Sequence, residues 1–182
     1  MSDGAVVVTG GDATRQGLPA GLEEVGPVIA ADSGLDLAER LDLAVDVVVG
    51  DMDSVSPGAL ERAAAAGAVV ERSSWDKDLT DLELALVRAR DVGARRLVVL
   101  GGAGGRLDHL LANLAVLVGP LTAGMEVEAW IGTTQVQVVR DHVRVEGPPG
   151  TTVSLLAWHG DAAGVTTTGL RWPLVDAVVR SE

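Results

Sequence analysis

The first two thirds of the chain alternate short valine-rich runs with longer stretches whose apolar residues recur at helical spacing. Residues 5–9, 28–31, 46–49, 68–71 and 96–100 read as strands, each too short and too uniformly apolar for an exposed helix. Helices are expected between them, the first over 35–41 with Leu35, Ala38 and Leu41 on one face. A second runs from Ser56-Pro57 to Gly67, with Ser56 as N-cap and Pro57 at the first helical position. A third spans about 80–92, its apolar face carried by Leu82, Leu84, Ala85 and Val92, and a fourth covers 108–118. Strand, loop and helix repeated in this order predict the α/β class, a mostly parallel sheet with helices on its faces.

After Pro120 the pattern changes. Residues 126–131, 135–139, 142–145 and 152–157 are short β-type runs separated by Gly-Thr-Thr, Arg-Asp and Gly-Pro-Pro-Gly. The division expected is an α/β domain over 1–122 and an antiparallel β unit over 123–182. A unit of that size is near the lower limit for standing alone, so it needs the first domain or a second copy of the chain to pack on.

Composition sharpens this picture. Hydrophobic residues make up 47% of the chain, yet Phe and Tyr are absent and there are only four Trp. Val, Leu and Ala must therefore fill the core, which suits strands buried on both faces. The net charge of −12 argues against nucleic acid as a partner, since no basic stripe offsets it. An acidic protein that handles phosphates does so through a metal ion, for which carboxylates are suitable Mg²⁺ ligands. The lack of cysteine removes disulfides and thiolate metal sites, and fits a cytoplasmic protein. Met1-Ser2-Asp3-Gly4 has no basic character, so no signal peptide is expected. The most apolar stretch, residues 107–121, is broken by Asp108, His109 and Asn113, so no membrane span is expected either.

Ligands of open α/β sheets bind where the strands end. There the chain places Thr9-Gly10-Gly11-Asp12, Ala31-Asp32-Ser33-Gly34, Gly50-Asp51-Met52-Asp53-Ser54 and Gly101 to His109, with Asp76-Lys77-Asp78-Leu79-Thr80-Asp81 ahead of a helix. Asp51 and Asp53 are two apart, so an extended loop sends both carboxylates the same way. Either they shape a turn, or they converge on a divalent cation. Thr80 and Glu83 have the spacing of a capping box, and Asp78 and Asp81 suit a helix N-terminus, which explains them without any ligand. Lys77 is a cation ahead of a helix N-terminus, where it better serves a bound anion. The glycines around Gly104 and Gly105 let backbone approach a ligand or simply make a tight connection. Arg106 can clamp a phosphate, and Asp108 sits where a helix cap would. Together these loops suit a polyphosphate with a divalent metal, and so phosphoryl or diphosphoryl transfer.

The ordered set Ala31-Asp32-Ser33-Gly34, Gly50 to Ser54, Asp76 to Asp81 and Gly104-Gly105-Arg106-Leu107-Asp108-His109 resembles the motif series of the thiamine pyrophosphokinase family. Gly164 to Leu174, including Thr168, Gly169-Leu170-Arg171-Trp172-Pro173, is similar to that family's C-terminal motif. The resemblance implies an α/β catalytic domain, a C-terminal β-sandwich and a homodimer. It implies ATP and thiamine as substrates, Mg²⁺ as cofactor, and AMP and thiamine diphosphate as products. It assigns Asp51, Asp53 and Asp81 to Mg²⁺, and Asp108 and Arg106 to the reacting centre. Gly10, Gly11, Asp32, Ser33, Gly34, Lys77, Asp78, Thr80, Gly104 and Gly105 would bind nucleotide, while Thr168 and Trp172 would bind thiamine, Trp172 by stacking. By residue type alone Trp172 equally suits a core or an interface. The family pattern usually runs on beyond Pro173-Leu174 through a further strand or two with a Ser-Asn pair, which this sequence does not contain. The alternatives are a diphosphokinase acting on another alcohol, such as a pterin, and a nucleotide- or thiamine-binding protein without catalysis.

Overall fold

The computed structural model describes residues 3–13, 18, 21–73, 79–104 and 106–181, which fall into two units, 1–140 and 141–182. In the first, five parallel strands are laid down in a doubly wound order: β1 (Gly4–Thr9), β2 (Val28–Ala31), β3 (Val47–Gly50), β4 (Val69–Arg72) and β5 (Arg96–Leu100). With β6 (Glu126–Ile131) and β7 (Thr134–Val138) they form one sheet in the order β4-β3-β2-β1-β5-β6-β7. The chain steps outward from β1 to β4, then returns across the sheet to add β5 on the other side of β1. The crevice between β1 and β5 is thus the topological switch point, and the loops leaving the carboxyl ends of the strands border it.

Side-chain alternation explains why these valine runs are strands. Ala5, Val7, Ile29, Ala31, Val47, Val49, Leu97 and Val99 face one core, while Val6, Val8, Val28, Val98 and Leu100 face another. Helix α4 (Asp81–Asp91) covers the first face with Leu82, Ala85, Leu86 and Ala89, spaced as one helical stripe. Helices α1 (Leu22–Val25) and α2 (Gly34–Arg40) cover the second, and α3 (Ala59–Ala65) closes a third cluster with Ala30, Leu35 and Val48. Helix α5 (Leu107–Val118) ends in a 3₁₀ turn whose buried Thr122 donates its hydroxyl to Leu117 O at 2.7 Å.

Two boundaries expected in the first unit need correction. The boundary expected after residue 122 lies after 140, because β6 pairs in parallel with β5 and buries Val127 and Ala129 in the first core. Period-2 alternation looks the same in either kind of pairing, so the short β6–β7 hairpin reads locally like part of a separate β unit. The helix expected to open at Ser56-Pro57 starts at Ala59, after a turn in which Ser56 O accepts the Ala59 N–H at 3.1 Å; Gly58, in the left-handed region, is its N-cap.

In the second unit, β8 (Ala162–Val165) and β9 (Ala177–Val179) form an antiparallel pair. The β-type runs at 142–145 and 152–157 form no strands. Between β8 and β9, the Thr167 N–H donates to Leu174 O at 3.0 Å, and the Thr167 hydroxyl accepts the Leu174 N–H at 2.9 Å. Among the described residues of this unit none is buried, and Leu156, Trp172 and Val175 are 76–81% exposed. No helix among the described residues is long and apolar enough to cross a membrane.

Candidate active site

Four acidic side chains gather where β2, β3 and the start of α4 meet. Asp32 follows β2 directly, held at φ 46° with its N–H donating to Val49 O of β3 at 2.8 Å. Asp51 and Asp53 follow β3. Asp51 Oδ1 accepts the Asp53 N–H at 3.1 Å, and Ser54 Oγ donates to Asp53 Oδ1 at 2.7 Å. Met52, at φ 67°, packs partly against the cluster of Ala30, Leu35 and Val48, which pins the loop between the two acids. The turn reading of this segment holds, and it is compatible with the cation reading. The local hydrogen bonds shape the turn, and the turn presents the carboxylates.

One carboxylate oxygen from each of Asp32, Asp51 and Asp53 lies within 4.8 Å of the others. Among the described residues, no Lys, Arg or His forms an ion pair with these three or with Asp81. Oxygens this close, without a protein cation between them, fit a hard divalent ion, which takes carboxylate ligands. Asp81, the first residue of α4, stands beside this trio. A methyl group on Gly50 would lie 3.1 Å from Asp81 Oδ1 and 3.2 Å from Asp32 Cβ, so glycine there keeps the two acids close. Burial pushes the Asp81 carboxyl up to about 6, assisted by repulsion from Asp32, Asp51 and Asp53. Burial also raises Asp32, against the opposing pull of the Ser33 and Ser54 backbone N–H groups.

Thr80 is the N-cap of α4 in a complete capping box. Its hydroxyl accepts the Glu83 N–H at 3.3 Å, and Glu83 Oε2 accepts the Thr80 N–H at 2.8 Å. The structural explanation of Thr80 is thus satisfied, and a phosphate would have to share its hydroxyl with Glu83.

The glycine-rich loops pack on each other. Gly102 N–H donates to Gly10 O at 2.8 Å, Asp12 N–H to Ala103 O at 2.6 Å, and Gly132 N–H to Asp12 O at 3.0 Å. A side chain on Gly11 would collide with Ala103 O, one on Gly10 with Ser33 Oγ, and one on Gly34 with Val8 O. Gly10, Gly11, Ser33, Gly34 and Gly104 are therefore brought together at the ends of β1, β2 and β5.

Arg106 precedes α5 and Asp108 lies in its first turn, so Asp108 is not the cap expected of it; the N-cap position is Arg106. The Arg106 guanidinium grips Asp108 through both oxygens, Nε to Oδ1 at 3.2 Å and a second, shorter contact to Oδ2. That hydrogen bonding holds the exposed Asp108 carboxyl down to about 2. Lys77, Asp78 and Gly105 lie outside the described residues. Thr168 and Trp172 belong to the second unit; Trp172 is exposed, with the Arg171 guanidinium 4.9 Å above its ring.

Sequence reasoning assigned Asp32 to nucleotide and missed its place in the trio. The left-handed conformation and the burial of Asp32 arise from the meeting of β2, β3 and α4, which no local pattern announces. It also missed Gly50, whose position at a strand end beside two acids was the available signal.

Residues 21–129 match the model of the thiamin pyrophosphokinase catalytic domain. The chain is 30% identical over 147 residues to thiamine pyrophosphokinase 1 of Oryza sativa subsp. japonica, which covers 74% of this chain and 54% of that one. It is 26% identical over 135 residues to thiamine pyrophosphokinase of Bacillus subtilis (strain 168), covering 69% and 59%. The chain thus spans little more than half the length of the curated relatives it matches. The crystal structure of the Bacillus subtilis thiamine pyrophosphokinase superposes with a TM-score of 0.77 at 23% identity, covering 97% of this chain and 84% of that one. That of Geobacillus thermodenitrificans gives 0.65 at 24%, covering 97% and 83%. At these identities the likeness establishes a shared fold, including the antiparallel C-terminal strands.

Proposed function

Because the chain belongs to the thiamine pyrophosphokinase family, we propose that it transfers a diphosphate group from ATP to the hydroxyl of thiamine, giving thiamine diphosphate and AMP. The observation that carries this reading is the gathering of Asp32, Asp51 and Asp53 at strand ends beside Asp81 at the start of α4, all within the segment that matches the family's catalytic domain. Asp51 and Asp53, with Asp81 alongside, hold Mg²⁺. When bound, the ion draws negative charge from the phosphate oxygens and aligns them for displacement.

The chain's own groups do the rest. Gly10, Gly11 and Gly104 let the loops after β1 and β5 pack closely at the strand ends where the nucleotide binds, and Ser33 and Gly34 open α2 beside them. Arg106 exchanges its Asp108 partner for phosphate oxygens, joined by Lys77 and Thr80. The thiamine hydroxyl oxygen bonds to the β-phosphorus while the bond from that phosphorus to the α–β bridging oxygen breaks, and AMP departs. Asp81 and Asp108 are the carboxylates at hand for the hydroxyl proton, Asp108 once Arg106 has turned to the phosphates. Most of the rate comes from positioning and from preset charge.

Thr168 and Trp172 form the thiamine contacts, Trp172 stacking on the flat heterocycles. The exposed apolar side chains of the second unit support a homodimer in which a second copy covers them. The absence of cysteine supports a cytoplasmic location.

The test is chromatographic. With ATP, Mg²⁺ and thiamine the protein produces AMP and thiamine diphosphate, and both are lost in EDTA and in Asp51→Asn or Asp53→Asn proteins that retain native circular dichroism. A normal rate in either variant would remove the metal assignment. ATP consumption with a pterin alcohol and none with thiamine would shift the acceptor.

A further inference from the structure

The members of the acidic group stand in different surroundings. Asp53 is exposed and Asp51 half-buried, but Asp32 is only 7% exposed. Its Oδ1 is buried without a hydrogen-bond partner, although a buried carboxylate oxygen is costly to leave unpaired. Among the described residues no cation pairs with it. Ionised, a carboxylate accepts hydrogen bonds and donates none. An acceptor-only group repels a phosphate, so nucleotide phosphate is the wrong partner for it. A sugar hydroxyl would supply one hydrogen bond but would leave the oxygens of Asp51 and Asp53, within 4.8 Å, facing it without compensation. A divalent cation satisfies all three at once.

We propose that Asp32 is a direct ligand of the divalent cation, its buried anchor, and that with Asp51 and Asp53 it binds the ion before any nucleotide arrives. This rests on the reading above only for what the ion is used for. Mg²⁺ held by one or two carboxylates depends on substrate phosphates to complete its shell; three protein carboxylates, one of them buried and preoriented, remove that dependence. Cation binding to the nucleotide-free chain is the consequence.

The experiment is a Mn²⁺ titration followed by electron paramagnetic resonance without nucleotide, on the full chain. The unsubstituted protein is expected to bind Mn²⁺, and Asp32→Asn to weaken binding at least tenfold, while Asp91→Asn at the far end of α4 leaves it unchanged. Asn accepts the left-handed backbone of position 32 and keeps an oxygen toward the Ser33 and Ser54 N–H groups, so the fold should survive. Binding by Asp32→Asn within twofold of the unsubstituted protein, or no binding by the latter without ATP, overturns the proposal. A second measurement needs no variant: substoichiometric Mn²⁺ should broaden the Ser33 and Ser54 amide resonances first, and their persistence overturns the proposal equally. Product formation with normal Mn²⁺ binding in Asp32→Asn defeats this inference alone. Mn²⁺ held at Asp32 in a protein that makes no thiamine diphosphate defeats the proposed reaction alone.

Discussion

Replacing Asp81 by Asn should stabilise the cation-free protein at neutral and higher pH. In the fold the Asp81 carboxyl is raised from 3.8 to about 6, first by burial and then by Asp32, Asp51 and Asp53. A carboxyl whose folded value exceeds its unfolded one favours the fold below pH 3.8 and loses that contribution as the pH rises through 6. The shift of roughly two units corresponds to about 3 kcal/mol at most. Asp81 is only partly buried, so solvent screening reduces this to on the order of 2 kcal/mol. For a chain of this size that is roughly 4–8 °C in melting temperature. The assay is thermal unfolding by circular dichroism in EDTA from pH 4 to 8, comparing the native protein with Asp81→Asn. The two curves should nearly coincide at pH 4 and separate as the pH rises, the variant melting higher. Mg²⁺ should raise the native protein at pH 8 by about 2–3 kcal/mol near a hundredfold excess over its dissociation constant, and raise the variant less. A difference that does not change with pH, or an equal gain from Mg²⁺ in both proteins, would refute the like-charge account of this corner.

Leu86 is fully buried on the inner face of α4, so Leu86→Ala should cost about 2–5 kcal/mol in urea unfolding, the low end if the surrounding side chains collapse into the gap. Thr80→Ala breaks the capping box and should cost about 1 kcal/mol, while Thr80→Ser should recover most of it in the same melts. Gly50→Ala meets both a φ of +135° and the Asp81 and Asp32 side chains, so it should cost about 1–3 kcal/mol and lower turnover at saturating ATP more than either Thr80 variant.

Much of the fold was legible because its signals are local. The valine runs of β1, β2, β3 and β5 alternate between the two faces of the sheet, and Thr80 with Glu83 announces the start of α4. The position of Asp51 and Asp53 could be read because a strand end followed by acids is a local pattern. What stayed hidden depends on partners distant in sequence. The parallel pairing of β6 with β5 assigns residues 126–138 to the first unit, and only the sheet order reveals it. Residues 142–145 and 152–157 have strand-like alternation, but a strand exists only where an edge accepts its hydrogen bonds. The glycines after β1 and β5 suggested a ligand cradle. Their closest packing is backbone on backbone, between Gly11 and Ala103, which the sequence cannot distinguish from ligand approach.

The central claim is attack by the thiamine hydroxyl on the β-phosphorus of ATP. The most direct measurement is the fate of label from α-labelled and γ-labelled ATP incubated with thiamine and Mg²⁺. The account predicts α-label only in AMP and γ-label only in thiamine diphosphate, in equal amounts and in neither product without Mg²⁺. Label from the γ position in thiamine monophosphate, with α-label in ADP, would contradict it.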